Sequence, residues 1–337
     1  MKYTKDKIEA LQSRWQTTKG KNLVKKIKQT RCYLSPILFR KVVQNFPHIN
    51  DDEVTDAIDL RGINLSGFDF RVAVKEDDSG YEEEIAILSY IHFEGAALKH
   101  ATFQDGKIHD CFFEDSDVTH TNFKNASINS CNFEDADATG TLLAGANLTN
   151  CNFHNTKMRE VNLSAVLTDQ STTFSKILQD EAEGNFHIAS IQYKQIREMY
   201  KNSSLHKESD YYHYREMVSR RKQKTMYNPF RALDFIFGDL TSKYGTSIIR
   251  IVIWMFMVIA IFTLIFWSLQ NVAYHGEQTT LSLVDSLYFS LTTYTTIGYG
   301  DFHPLGIYRL FAAIEGLFGI ILTSLFTVIV ARRIIRD

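Results

Sequence analysis

The stretch from Ile251 to Tyr308 contains no lysine and no arginine, although the chain holds 37 of them among its 337 residues. A gap that long is foreign to a wholly soluble single domain. Cysteine is scarce too, and four residues in 337 are too few for a secreted disulfide scaffold. The segment Met1–Lys7 has no apolar core, so no signal peptide is expected. No nucleophile–base pair, nucleotide-binding pattern or metal-ligand set stands out. The chain therefore does not read as an enzyme, and no cofactor is expected.

What is present is strongly segregated. Residues 1–50 carry twelve Lys and Arg against two Asp and Glu, a net of about +10. Residues 51–165 carry eight against twenty-two, a net of about −14. The overall charge of −2 thus hides a basic arm beside an acidic domain. The two blocks are either solvated faces or an arm that docks on the acidic domain of its own chain or a neighbour's. Opposite charges attract, but salt weakens exposed pairs.

Every fifth residue from 88 to 163 is apolar, running Leu88, Phe93, Leu98, Phe103 and onward to Leu163. Two positions before each sits a mostly small residue, such as Ala96, Ala126 or Cys131. Neither a helical nor a strand period explains sixteen such positions in phase, so the block is a stacked solenoid. The pattern resembles the pentapeptide-repeat family, on units such as Ala146-Asn147-Leu148 and Cys131-Asn132-Phe133. The resemblance implies a right-handed quadrilateral β-helix with four pentapeptides per coil. Residues twenty apart should then stack, and Phe93, Phe113, Phe133 and Phe153 form such a series. Three further units are placed at Leu60, Leu65 and Phe70, out of phase across an acidic insertion at Lys75–Glu84 read as a loop. The basic stretch up to Val43 is a candidate cap. Cys111, Cys131 and Cys151 are also twenty apart and read as small buried fillers rather than a metal or redox site. Some relatives mimic DNA with their acidic surface, but no nucleic-acid partner is expected here.

Residues 177–227 read as two amphipathic helices, followed by the basic cluster Arg220–Lys224 and an apolar stretch from Phe230 to Phe237. That stretch is either a buried helix end or a segment lying on the membrane surface. Ile251–Leu269 is uncharged and long enough to cross a bilayer, and Leu310–Ala331 is a second span holding one acid, Glu315. Arg332, Arg333 and Arg336 follow the second span; Lys243 and Arg250 precede the first. The positive-inside rule puts both termini in the cytoplasm.

Between the spans, an apolar segment too short to cross leads into Thr295-Thr296-Ile297-Gly298-Tyr299-Gly300-Asp301. This closely resembles the potassium-channel signature. The resemblance implies two transmembrane helices with a re-entrant pore helix, assembled as a homotetramer. Backbone carbonyls of Thr296, Ile297, Gly298 and Tyr299 would replace the hydration shell of K+. Thr295, Gly300 and Asp301 support that filter, Tyr288 is the expected hydrogen-bond partner of Asp301, and Thr292 stands where some relatives carry an acid. Glu315 either braces the back of the filter or pairs with a pore-helix hydroxyl, with a satisfied helix-packing carboxyl near the outer interface as the alternative. Gly316 and Gly319 are candidate hinges of an inner gate, with close helix packing as the alternative.

The expected multidomain order is a basic helical arm (1–50), the β-helix (51–170), a helical connector (171–245) and an all-α pore domain (246–337). Within the pore domain, the first span is 247–270, the pore helix 282–294, the filter 295–301 and the second span 306–331. The expected function is passive K+ conduction in the bacterial inner membrane. Partners are other copies of the chain, lipid, and a cytoplasmic protein on the β-helix. The rival reading is a membrane-tethered scaffold that conducts little.

Overall fold

In the computed structural model, residues 4–29, 58–71, 87–225, 227–270, 272–274 and 277–336 are described. They form two compact units, residues 1–223 and 224–337. The expected insertion Lys75–Glu84 and the end of the expected cap, up to Val43, lie outside the described residues.

The first unit opens with α1 (Lys5–Ser13), a short 3-10 turn (Arg14–Gln16) and α2 (Thr18–Gln29). Leu11, Trp15 and Ile27 are buried. Arg14 grips the Asp59 carboxylate with two bonds of 2.6 and 2.8 Å, and the Trp15 indole donates to the Arg61 carbonyl at 2.7 Å. The arm thus docks on its own chain, through buried, charge-assisted bonds rather than a screened surface pair. Burial alone would raise the Asp59 carboxyl, but Arg14 and then Arg61 outweigh it and hold it well below the usual carboxylate range.

The solenoid follows with nine short strands: β1 (Ile58–Asp59), β2 (Ile87–Ser89), β3 (Ile91–His92), β4 (Lys107–His109), β5 (Ser127–Asn129), β6 (Asn147–Thr149), β7 (Asn152–Phe153), β8 (Leu167–Thr168) and β9 (Thr173–Phe174). Strands β2, β4, β5, β6 and β8 form one parallel sheet, with Leu88, Ile108, Ile128, Leu148 and Thr168 in register. The step is twenty residues, as the repeat predicts. Inside, Phe93, Phe113, Phe133, Phe153 and Phe174 stack with ring centroids 4.6 to 5.1 Å apart. Phe103 and Phe123 stack beside them at 4.8 Å and meet the first column edge to face. The corners turn on a left-handed residue. Sixteen positions from Tyr90 to Ala165, five apart, all have φ between 51° and 72°. Asp, Asn, Gly and His fill most of them, the residue types that pay least for that conformation.

The solenoid runs to Phe174, four residues past the expected boundary, with one extra residue in its last step. The next helices are α3 (Gln179–Ala182), α4 (Phe186–Asn202) and α5 (His206–Gln223). They correct the expectation of a connector over 171–245. Tyr193, Ile196, Met199, Tyr200 and Tyr212 belong to the same buried core as the solenoid phenylalanines. Tyr200 donates to the Thr172 carbonyl at 2.7 Å and Tyr212 to that of Phe174 at 3.2 Å, satisfying the open edge of the last coil. This pair is therefore a C-terminal cap. Residues 224–245 belong to the second unit.

That unit starts with α6 (Pro229–Leu233), whose N-cap Asn228 accepts from Phe230, and a π-helical turn (Asp234–Leu240). The apolar helices α7 (Ile248–Leu269) and α9 (Tyr308–Arg336) are long enough to cross a membrane. Between them lies α8 (Leu283–Tyr294), closed at its start by a capping box of Ser282 and Asp285. The all-α expectation needs one addition. Strands β10 (Val272–Tyr274), β11 (Glu277–Thr279) and β12 (Phe302–Pro304) form an antiparallel sheet in the order β11-β10-β12. Each strand is three residues long, too short to show a period in sequence. The Tyr274 and Phe302 rings meet at 4.9 Å.

Candidate functional site

The C-terminal end of α8 delivers the chain into the 295–301 segment. The Thr296 amide bonds the Thr293 carbonyl at 3.0 Å, and the Gly298 amide bonds that of Thr292 at 3.3 Å. These two bonds turn the backbone back on itself. From there φ alternates in sign: Thr296 is at +59°, Gly298 at +54° and Gly300 at +80°, while Ile297 and Tyr299 are on the negative side. Alternating left- and right-handed residues turn successive carbonyls toward one side of the strand, which an all-L extended chain does not do. Glycine accepts this freely. Thr296 does so at a cost of about 1–2 kcal/mol. The Thr296 hydroxyl donates to the Thr295 carbonyl at 2.7 Å.

Asp301 accepts from the Tyr288 hydroxyl at 3.0 Å. The expected pairing is thus present, and it ties the far end of the segment to α8. Tyr288 also lies parallel to Tyr299 at 6.4 Å and edge-on to Phe302 at 6.0 Å. Within one chain Tyr299 is 71% and Ile297 58% exposed, so neither is packed by its own protomer.

Glu315 is fully buried at 0% exposure and hydrogen-bonds the Ser290 hydroxyl. Of the readings open for Glu315, the pairing with a hydroxyl of α8 is the contact observed. Ser290 was not anticipated; its signal is a hydroxyl on the apolar helix facing the span's one acid. Thr292, in the position that some relatives give to an acid, keeps its hydroxyl on the Phe289 carbonyl.

Gly316 and Gly319 sit in an unbroken helix against the end of α8. A Cβ at Gly319 would come within 2.0 Å of the Tyr294 carbonyl oxygen, whereas one at Gly316 would rest 3.6 Å from that of Thr293. Gly319 is therefore required by packing, the alternative to a hinge.

The cysteine ladder offers no second site. Cys111, Cys131 and Cys151 are buried, and each thiol donates to a backbone carbonyl at 3.3 Å. Burial pushes the Cys131 and Cys151 thiols up, away from the reactive thiolate. Among the described residues no group of three His, Cys, Asp or Glu is arranged to hold a metal ion.

Residues 251–336 match the family described as Ion channel, and residues 86–163 match the one described as Pentapeptide repeat region. No curated protein matches the chain. Among solved structures, the pentapeptide-repeat protein HetL of the cyanobacterium Nostoc is 17% identical, covering 36% of this chain and 54% of its own, with a TM-score of 0.26. This chain thus spans about half the length of HetL. Rfr23 of Cyanothece is 18% identical over 35% of this chain and 88% of its own, with a TM-score of 0.19. A pentapeptide-repeat protein of the Arabidopsis thaliana thylakoid lumen is 19% identical over 38% and 77%, with a TM-score of 0.11. With two apolar helices of spanning length around the 295–301 segment, the chain joins a pentapeptide-repeat β-helix to a membrane ion-channel domain of the two-transmembrane type.

Proposed function

We propose that the protein is a potassium-selective channel, assembled as a homotetramer in the bacterial inner membrane with both termini in the cytoplasm. The observation that carries this reading is the alternating backbone at 296–300, held between two apolar helices and left exposed by its own protomer. Four copies around an axis would surround a dehydrated ion with rings of carbonyl oxygens from Thr296, Ile297, Gly298 and Tyr299. Tyr299 would then pack against neighbouring copies and set the ring diameter, while Tyr288 and Asp301 anchor the outer end. Thr295 ends the pore helix, and Gly300 lets the chain leave the filter. Cations on the flanks of the spans, at Lys243, Arg250, Arg332 and Arg333, support the cytoplasmic orientation.

The exposed apolar side chains of Phe230, Leu233, Phe235, Ile236 and Phe237 precede the first span. With Lys224 and Arg231 nearby in sequence, this segment suits the inner leaflet surface. The β-helix would serve assembly or bias opening, and its acidic surface would receive a cytoplasmic protein partner.

The test is ion flux from liposomes holding the purified full chain. The expected result is K+ flux well above Na+ flux from a tetramer. Gly298→Ala abolishes it, because four copies would each pay about 1–2 kcal/mol for φ of +54°. A monomer, or equal passage of Na+ and K+, overturns the proposal. A tetramer without flux returns the protein to a scaffold role.

A further inference from the structure

Three oxygens from three helices meet at Ser290. Its hydroxyl lies against the Glu315 carboxyl of α9 and 3.1 Å from the Ile259 carbonyl of α7. Each oxygen–oxygen contact needs a proton between the two atoms, or lone pairs face each other. A serine hydroxyl supplies one proton, and a backbone carbonyl supplies none. The second proton has to come from the carboxyl.

We infer that Glu315 is held as a neutral carboxylic acid that donates to Ser290, which in turn donates to the Ile259 carbonyl. This two-bond relay joins the inner helix, the pore helix and the outer helix at one point. Two further observations point the same way. Glu315 is fully buried, and no lysine, arginine or histidine pairs with it among the described residues. An ionised carboxylate there would be a buried charge without a counter-ion. Its second oxygen, Oε2, has no hydrogen-bond partner among the described residues. That is a modest cost for the carbonyl of an acid and a severe one for half of a carboxylate.

The consequence is mechanical. Ser290 sits on the helix that ends in the 295–301 segment, and Glu315 is one residue before Gly316, which rests on the end of that helix. Glu315 is thus a positioning residue, setting where α9 holds the end of α8. The relay breaks if either proton is removed.

The test reads the proton directly and does not depend on conduction. Infrared difference spectra of the full-length protein in lipid, wild type minus Glu315→Gln, should contain the stretching band of a protonated carboxyl at neutral pH. In Ser290→Ala that band should persist and move to higher frequency, because the acid has lost its acceptor. Flux gives the second readout. Glu315→Gln keeps a neutral donor and stays within about threefold of wild type, whereas Glu315→Leu and Ser290→Ala, which leave a buried group unpaired, lose about tenfold or more. A difference spectrum with carboxylate bands alone overturns the inference. So does a Ser290→Ala band at the wild-type frequency. If the channel proposal fails and no variant conducts, the infrared result still stands or falls by itself, although the positioning role rests on that proposal.

Discussion

Phe113 in the solenoid and Tyr299 in the 295–301 segment are both aromatic residues in a repeating backbone, yet they stand in opposite conditions. Phe113 is fully buried and stacks on Phe93 and Phe133 of its own chain. Tyr299 is mostly exposed and meets one ring. The solenoid closes within a single chain, because each coil buries its apolar side on the next and helices seal both ends. The pore unit does not close. Its 296–300 backbone and the Ile297 and Tyr299 side chains are left exposed by their own chain, which the proposed tetramer would cover. Stability of the first unit and conduction by the second should therefore respond to different substitutions.

The sharpest way to break that division is to remove a unit. Deleting residues 1–223 should alter opening while leaving the K+/Na+ flux ratio unchanged; a changed ratio would join what the comparison separates. The cut matters. Ending the deletion at residue 170 strands Tyr193, Tyr200 and Tyr212 without the coil they cover, and that product is expected to aggregate.

A smaller effect is expected from Phe113→Ala in the full chain. Loss of a stacked core ring should cost about 3–5 kcal/mol, read as faster amide exchange across 88–174, with ion selectivity intact. Next comes a paired test in the second unit. Gly319→Ala should cost about 1–3 kcal/mol by overpacking, lowering tetramer yield and flux, whereas Gly316→Ala should be tolerated. Equal effects at both positions would favour a hinge over packing.

The smallest effect concerns pH. Burial, and after it the charge of Glu94, pushes the Glu114 carboxyl up to about 8. An acid raised on folding adds stability that is fully present below the ordinary carboxylate value and lost as pH rises through about 8. Amide exchange around residues 108–134 should therefore quicken severalfold between pH 6 and pH 9 beyond its intrinsic pH dependence. Glu114→Gln should flatten that excess.

The solenoid was legible because its spacing is strict: one phase from Leu88 to Leu163 leaves a single way to stack. The left-handed corners are written in the same sequence, as Asp, Asn, Gly and His at most of the positions five apart, but those residue types are also common in ordinary turns and so carry a weaker signal than the apolar period. The role of α4 and α5 was hidden for a chemical reason. Their buried faces rely on tyrosines, which cover apolar rings and still donate to open carbonyls, so hydropathy underrates them. At the site, the Tyr288–Asp301 bond was readable because, of the adjacent aromatics Tyr288 and Phe289, only Tyr288 carries a donor. Ser290 was not, since a hydroxyl inside an apolar helix usually bonds its own helix. The Arg14–Asp59–Arg61 cluster joins residues 45 or more apart in sequence from Arg14, a pairing no local pattern encodes.

The first coil meets the second with an offset of 33 residues, Asn64 beside Ala97 and Asp69 beside Thr102, where the coils that follow step by twenty and, at the last, by 21. The rungs nevertheless stack in phase, Phe70 on Phe103 at 4.2 Å. The coils on either side of that larger offset share one set of inward columns, so it is the repeat phase of each coil, and not an even spacing in sequence, that fixes which floor rests on which.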